Sequence, residues 1–153
     1  MVINYLSNTH AAEETRQHIE AAGGKAELLP YDVSDAETTL TALQGWEEKH
    51  GDAHFDVLVN NAGIRRDNLL VFMDGKEWHD VLTTNLDSFY YQTHYVLQGM
   101  LRARHGRIVN ISSISGVSGL AGQVNRGNSP KMPNTRSADG QTTSQSFAWK
   151  FRR

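Results

Sequence analysis

Two asparagines and a glycine follow a short apolar segment in the middle of the chain, and their chemistry suggests a ligand site. Residues 55–59 read Phe-Asp-Val-Leu-Val, a run typical of a strand buried on both faces of a parallel sheet. Asn60 and Asn61 each carry amide donors and an acceptor, and Gly63 permits close approach of a ligand to the backbone. We predict that residues 60–63 form the rim of a site.

Strands and helices must position these rim residues, and the sequence predicts strands and helices that alternate along the chain. The predicted strands are Val2–Tyr5 and residues 26–31, 55–59 and 107–111, and the predicted helices are residues 9–22, 35–50 and 75–104. Strands that alternate with amphipathic helices are typical of an α/β fold with a parallel sheet and right-handed crossovers.

Capping residues indicate where the helices begin and end. Asn8 or Thr9 begins the first helix, and glycines 23 and 24 end it. Ser34 with Glu37, and Asp74 with Glu77, have the spacing of capping boxes for the second and third helices. Gly106 ends the third.

The third predicted helix carries apolar residues at three- and four-residue steps, so we predict one continuous apolar face along it. The members of this face are Trp78, Val81, Leu82, Leu86, Phe89, Tyr90, Thr93, Val96, Leu97, Met100 and Leu101. The opposite face is predicted to carry Tyr91, Tyr95 and Gln98.

Composition restricts the function classes. The chain has 153 residues and no cysteine, which excludes disulfides and cysteine-bound metal centres. Its seven histidines are scattered singly, so we predict no metal site. No apolar run approaches the length of a membrane helix, and no basic head precedes the first apolar segment. We expect a soluble, cytoplasmic protein.

The charge distribution divides the chain near residue 126. Residues 126–153 contain six basic residues and one acid, a net +5, which leaves −7 for the rest of a chain of net charge −2. This tail has no Leu, Ile or Val and so lacks the aliphatic surface that offsets ordering entropy. We predict a disordered basic tail. Because its charges are spread thinly, we do not expect nucleic-acid binding.

Five segments resemble the short-chain dehydrogenase/reductases, and most closely the 3-oxoacyl-[acyl-carrier-protein] and acetoacetyl-CoA reductases. They are NYLSN at 4–8, DVSD at 32–35, DVLVNNAGIRRDN at 56–68, TNL at 84–86 and RHGRIVNISSISG at 104–116. The resemblance implies a Rossmann-type, doubly wound sheet and a nicotinamide-dependent reductase of 3-oxoacyl thioesters in fatty-acid synthesis.

Cofactor contacts are implied at two strand ends. Asp32 and Val33 match the pair that meets the adenine, although residues 32–35 alone would equally suit a strand end with a helix cap. Asn61, Ala62 and Gly63 match the loop beside the adenine ribose and the nicotinamide half. Both segments follow strands, at the edge where open α/β sheets bind ligands.

The residues at the end of the first strand indicate which dinucleotide binds. Members of the family that use NAD place an acid there, whereas Asn4, Tyr5 and Ser7 would tolerate a 2′-phosphate. We therefore expect NADP(H), with Ser7 among the binding residues.

Catalytic and docking roles are also implied by the resemblance. Ser113 matches the serine that hydrogen-bonds the substrate carbonyl, although a serine after a strand is commonly a loop donor. Asn85 matches the asparagine that kinks the long helix and holds a relay water; alone it would be a tolerated mid-helix asparagine. Arg104 matches a residue that docks the acyl-carrier protein or a CoA thioester, or it is a solvated cation at a helix end.

The chain departs from the family pattern at two places. No segment matches the glycine-rich turn TGxxxGxG that holds the pyrophosphate, so the first strand and the later strands of the sheet are expected to be missing. The catalytic tyrosine and lysine positions fall on Arg126 and Pro130, which cannot act as the general acid pair. We expect impaired cofactor binding and little activity.

These departures suggest a division of the chain and a rival function. We predict an incomplete dinucleotide-binding domain at 1–125 and an unrelated tail at 126–153, with a start upstream of Met1 and a shifted reading frame after Asn125. The rival is a non-catalytic interaction protein that associates through the long helix 75–104, with itself or with a complete homologue.

Overall fold

Four strands and four helices alternate in the computed structural model of the chain, which describes residues 1–51 and 53–112. The strands are β1 (Val2–Tyr5), β2 (Glu27–Pro30), β3 (Val57–Asn60) and β4 (Arg107–Asn110). The α-helices are α1 (Thr9–Ala21), α2 (Ala36–Lys49), α3 (Gly75–Leu82) and α4 (Ser88–Ala103). This alternation confirms the predicted α/β class. The predicted tail and Ser113 lie outside the described residues.

The strands form two separate parallel pairs instead of one sheet. β1 pairs with β2 from Val2 opposite Glu27, and β3 pairs with β4 from Val57 opposite Arg107. Within the described residues, β1 and β3 are not hydrogen-bonded to each other. A cleft therefore separates the two pairs where a continuous sheet would have its centre.

One hydrophobic cluster joins the two pairs. Its buried members come from the β2 end, α2, β3 and α4: Tyr31, Val33, Leu43, Trp46, Phe55, Leu58, Val96 and Met100. The Trp46 ring stacks on Phe55 with 4.7 Å between centroids. Burial of aromatic and aliphatic groups from both halves holds the strand pairs together, although no strand-to-strand hydrogen bond joins β1 to β3 within residues 1–51 and 53–112.

The predicted helix starts are confirmed for α1 and α3 but not for α2. Asn8 accepts the amide of Ala11, and Asp74 and Glu77 form the capping box. The α2 cap is Asp35, whose Oδ1 accepts the Thr38 amide at 2.7 Å. The predicted Ser34 cap is wrong because the Ser34 amide and hydroxyl both donate to Asp32 Oδ1, at 2.8 and 2.6 Å.

The predicted long helix is interrupted. A π-helical turn at Thr83–Asp87 separates α3 from α4. A π-turn holds one more residue than an α-turn, and each residue advances a helix by about 100°. The side chains of α4 are therefore rotated relative to the phase that uninterrupted periodicity predicts.

The predicted apolar face is only partly buried on α4. On α4 the buried residues are Ser88, Gln92, Val96, Gly99 and Met100. Three predicted members of the face, Tyr90, Leu97 and Leu101, are exposed instead.

The predicted outer face of α4 is also partly wrong. Tyr95 packs against the core, and its hydroxyl donates to Glu47 at 2.7 Å. α4 ends when Arg104 takes a left-handed conformation with φ of 52°, so the stop comes before the predicted Gly106. No helix in the described part of the chain has the length and apolarity needed to cross a membrane.

Candidate functional site

The ends of three strands surround an open cleft of about 580 Å³, which we call the carboxyl-end cleft. Its lining residues are Asn4, Tyr5, Leu6, Tyr31, Asp32, Val33, Ser34, Ala62, Gly63, Ile64, Arg66, His79, Asp80, Thr83 and Thr84. They lie at the ends of β1, β2 and β3, in the segments that follow these strands, or on α3 and the π-turn. The cleft is the meeting point expected at the carboxyl ends of parallel strands.

The segment after β2 forms a rigid wall. Asp32 accepts two hydrogen bonds from Ser34 through Oδ1. The Asp32 carbonyl accepts the hydroxyls of Thr38 and Thr39, at 3.1 and 3.3 Å. Val33 is buried. The turn thus presents a fixed carboxylate beside an apolar surface, which suits a flat heterocycle with polar edges.

Asn85 holds the loop after β3 through both ends of its amide. Asn85 Oδ1 accepts the Ile64 amide at 2.8 Å, and Asn85 Nδ2 donates to the Ile64 carbonyl at 3.1 Å. A Cβ at Gly63 would lie 3.1 Å from Asn85 Oδ1. The asparagine therefore positions the exposed backbone of Ala62 and Gly63, and the close approach favours glycine there.

Charged groups from the loop and α3 lie on the far side of the cleft. Lys76 donates to Asp80 at 2.6 Å; this bond, with smaller contributions from the charges of Arg66 and His79, lowers the pKa of the Asp80 carboxyl. His79 Nε2 lies 3.3 Å from the Thr83 hydroxyl. With one guanidinium, two carboxylates and several hydroxyls, this lining suits a polar or charged ligand.

A buried tyrosine closes the cleft floor. The Tyr31 hydroxyl donates to Gln92 Oε1 at 3.1 Å, and burial raises the Tyr31 pKa above its ordinary value. Tyr31 therefore stays protonated and fixes the end of β2 to α4.

The structure brings together four of the sequence-predicted cofactor residues, Asp32, Val33, Ala62 and Gly63, in the carboxyl-end cleft. Asn61 lines a neighbouring cleft between β1 and β3. Ser7 is exposed and is not among the lining residues of either cleft.

The predicted catalytic and docking residues that the structure describes are not among the lining residues of the carboxyl-end cleft. Asn85 lies behind the loop, where its amide is occupied by Ile64. Arg104 is exposed at the end of α4. Ser113 lies outside the described residues. Asn60, which the sequence places in the rim of the site, instead donates its side-chain amide to Asn110 Oδ1 at 2.9 Å and so joins β3 to β4; Asn110 was not singled out from the sequence.

The α3 side of the carboxyl-end cleft was also missed. His79, Asp80, Thr83 and Thr84 have the spacing of neighbours on one helix face. In sequence, that face resembles any solvated helix surface, so only the fold reveals that it borders a cleft.

Comparison with known proteins gives matches that cover most of the chain. The family described as short chain dehydrogenase matches residues 1–129. A 3-oxoacyl-[acyl-carrier-protein] reductase FabG from Pseudomonas aeruginosa is 42% identical over 113 residues, which cover 74% of this chain and 45% of that protein. The Haemophilus influenzae protein of that name is 41% identical over 110 residues, covering 71% and 45%. The Escherichia coli protein is 37% identical over 112 residues, covering 73% and 44%. The chain thus spans less than half the length of these relatives.

Proposed function

The chain belongs to the short chain dehydrogenase family, and we propose on this basis that residues 1–125 bind NADP(H) at the carboxyl-end cleft. In this proposal the chain derives from a reductase of 3-oxoacyl thioesters in fatty-acid synthesis, as the names of its relatives suggest. The observation that carries the proposal is the meeting of Asp32, Val33, Ala62 and Gly63 in one cleft.

The lining residues fit the adenosine half of such a cofactor. Val33 offers an apolar surface for the adenine, and the fixed Asp32 turn offers polar groups at its edge. The end of β1 contributes Asn4 and Tyr5 to the cleft and no carboxylate, which favours a 2′-phosphate over a bare ribose diol. When bound, the nicotinamide of this cofactor supplies the hydride.

Substrate recognition would come from residues outside the cleft. Arg104, exposed at the end of α4, is proposed to dock an acidic carrier protein or a CoA thioester, and Ser113 to donate to the substrate carbonyl. Because Arg126 and Pro130 stand at the tyrosine and lysine positions of the family pattern, we propose that the chain alone reduces acyl thioesters poorly.

Thermal unfolding with added cofactor tests the binding site. A ligand that binds the folded state raises Tm in proportion to the logarithm of its concentration once it exceeds Kd. We expect NADPH to raise Tm progressively as its concentration increases and NADH to raise it less. Ala62→Trp, which places a large side chain at the exposed cleft wall, should abolish the shift.

Ala22→Trp is the matched control, since Ala22 is exposed beyond the end of α1 and lines neither cleft. It should keep the NADPH shift. An unchanged Tm in the wild-type chain up to millimolar NADPH, or an equal shift in Ala62→Trp, contradicts the proposed site.

We also propose a second function, association through the long helix, because α4 carries an exposed apolar stripe. Tyr90, Leu97 and Leu101 are 60%, 39% and 68% exposed, and their spacing of seven and four residues places them on one side of the helix. A contiguous apolar stripe of this kind marks an interaction surface. The partner would be a second copy or a complete homologue.

Sedimentation velocity distinguishes this function from the first. We expect a concentration-dependent dimer that Leu97→Glu with Leu101→Glu converts to monomer without changing the far-UV spectrum. Leu6→Glu, at an exposed leucine after β1, is the control and should leave the dimer intact. A wild-type monomer at all concentrations, alone and with a full-length homologue, contradicts the association.

A further inference from the structure

A buried tyrosine and a buried glutamine form a polar contact at the edge of the hydrophobic cluster. Tyr31 is 9% exposed and Gln92 is 7% exposed, and the Tyr31 hydroxyl donates to Gln92 Oε1 at 3.1 Å. The cluster that contains Tyr31 is otherwise built from apolar residues such as Val33 and Val96. A phenylalanine and a leucine would fill a similar volume without burying polar atoms, whose transfer out of water costs free energy. The polar pair therefore needs a reason beyond packing.

Tyr31 fixes the end of β2 to two other elements. Its amide donates to the Tyr5 carbonyl at 3.2 Å, and its carbonyl accepts Asn4 Nδ2 at 2.9 Å. These two bonds hold the Tyr31 backbone to β1, and the hydroxyl bond holds the side chain to α4. Burial raises the pKa of Tyr31, so the hydroxyl remains a donor across the neutral pH range.

The two residues after Tyr31 form one side of the carboxyl-end cleft. Asp32 and Val33 follow Tyr31 directly, and all three line the cleft. We call Asp32 and Val33 the adenine wall, because the proposed cofactor would place its base there. Since consecutive Cα atoms are held about 3.8 Å apart, the position of Tyr31 limits where the adenine wall can lie.

On α4, hydrogen bonds continue from Gln92 toward the π-turn. Gln92 Nε2 donates to the Ser88 carbonyl at 3.4 Å, and Ser88 Oγ donates to the Thr84 carbonyl at 2.5 Å. Thr84 lines the carboxyl-end cleft. Its neighbour Asn85 accepts the amide of Ile64 and so holds the loop after β3.

A chain of hydrogen bonds therefore connects two sides of the carboxyl-end cleft. It begins at Tyr31, beside the adenine wall, and ends at the π-turn, from which Thr83 and Thr84 line the cleft. A hydrogen bond restricts both a distance and a direction, whereas contacts between aliphatic groups restrict direction much less. Satisfied polar networks in a core favour one arrangement of the surrounding elements. This network can thus set the separation of the two sides.

We propose that Tyr31 is a positioning residue, which through Gln92 sets the separation between the adenine wall and the π-turn and so determines how well a purine base fits the cleft. This inference rests on the proposed NADP(H) site and adds a residue that controls its affinity. Its effect should fall on the adenosine half of the ligand, because the adenine wall belongs to that half of the proposed site.

Calorimetric titration of the full chain with NADPH and with adenosine 2′,5′-bisphosphate tests this assignment. The second ligand contains the adenosine half and no nicotinamide. We expect Tyr31→Phe to weaken both ligands by a similar factor of about three to ten, as expected for the loss of one hydrogen bond.

Tyr95→Phe is the matched control. Tyr95 also belongs to the core region, and its hydroxyl donates to Glu47 of α2 at 2.7 Å, but Tyr95 lines neither cleft. This variant loses the same atom and one hydrogen bond of α4. It should keep the wild-type affinity for both ligands.

A double variant separates positioning from packing. Tyr31→Phe removes the donor to Gln92 Oε1 and leaves a buried acceptor, which destabilises the fold. Adding Gln92→Leu removes that acceptor, so the urea midpoint of the double variant should return toward the wild-type value. The affinity for adenosine 2′,5′-bisphosphate should stay at the level of the single variant, because the directional bond is still missing.

Amide hydrogen exchange provides a readout that needs no nucleotide. The Ser34 amide is held by the carboxylate of the adenine wall, and the Ile64 amide is held by the side chain of the π-turn asparagine. In the double variant both amides should exchange several-fold faster relative to the amides of β4. Tyr95→Phe should change neither.

Recovery of both stability and affinity in the double variant would overturn the proposal, since the hydrogen bond would then only satisfy buried groups. Equal weakening of the ligands by Tyr95→Phe, or unchanged exchange at Ser34 and Ile64 in the double variant, would overturn it as well. If the wild-type chain binds neither nucleotide, the proposed NADP(H) site fails, and the exchange rates alone decide whether Tyr31 positions the adenine wall.

Discussion

Asn85 shows how one side chain can shape a site that it does not line. Its amide satisfies both the N–H and the C=O of Ile64, so the loop after β3 has a fixed path next to Gly63. An asparagine in a helix normally competes with the backbone for hydrogen bonds. Here it lies in the π-turn, and its side chain is directed to a neighbouring loop.

Removal of this amide should weaken the fold and loosen the loop. Two part-buried hydrogen bonds are worth about 1 kcal/mol each, so we expect Asn85→Ala to lower the free energy of unfolding by about 2 kcal/mol. Urea denaturation measures the change, and amide exchange at Ile64 should accelerate.

Asn61→Ala is the matched control, because Asn61 is exposed and its side chain makes no hydrogen bond with another described residue. It should change stability by less than about 0.5 kcal/mol. If both alanine variants were equally stable, the Asn85 amide would contribute no more than a surface group.

Among the helices, α2 is capped by Asp35, one residue after the Ser34 that the sequence pattern predicts as the cap. The Asp35 side chain accepts the Thr38 amide, and this bond, with the Thr38 hydroxyl, holds the pKa of the Asp35 carboxyl below its usual value. A carboxyl group whose pKa is lower in the folded state than in the unfolded state stabilises the fold fully at pH values above its unfolded-state pKa. This stabilisation is lost as the pH falls through the folded-state pKa.

Asp35→Asn should therefore remove part of the acid sensitivity of the protein. Asparagine caps helices about as well as aspartate but does not titrate. Between neutral pH and about pH 5, the wild-type chain should be at least as stable as the variant. Below about pH 4, the difference should shrink.

Urea midpoints for both proteins across this range measure the effect. Gln44→Asn is the control, since Gln44 is uncharged and exposed on α2, and it should leave the pH dependence of the wild-type chain unchanged. A constant difference between wild type and Asp35→Asn at all pH values would contradict the assignment.

What the sequence could predict differs between elements for physical reasons. Strand positions and the α3 capping box depend on short, local patterns, and they were predicted to within about two residues. The buried side of α4 was not, because Ser88, Gln92 and Gly99 are buried there and such residues give no signal in hydrophobic periodicity. The resemblance implied a kink at Asn85 but not its consequence for Tyr90 and Tyr95.

The site residues, too, divide into those that local sequence patterns predict and those that depend on how distant elements pack. Asp32, Val33, Ala62 and Gly63 were found because the ends of parallel strands converge in any such sheet. Arg66 and His79 were missed because their proximity to the cleft depends on how the β3–α3 loop and α3 pack against the strand ends.

At the scale of the whole molecule, no strand-to-strand hydrogen bond joins the two pairs within the described residues, so whether they unfold together depends on side-chain packing. The hydrophobic cluster includes residues from the β2 end, α2, β3 and α4, and the Tyr31 hydroxyl donates to Gln92 of α4. A shared core of this kind couples both pairs, because neither can bury its aromatic and aliphatic groups alone. We therefore expect one cooperative transition, with protected amides in β2 and β4 lost at the same urea concentration.

Phe55→Ala tests the coupling most directly, since Phe55 is 4% exposed and stacks on Trp46 between the two halves. Truncation of a buried phenylalanine costs about 3–5 kcal/mol, a large part of the 5–15 kcal/mol typical of a domain. Protection should fall together in β2 and β4, as measured by amide exchange. Loss of protection in one pair alone would show that the two strand pairs are separate folding units.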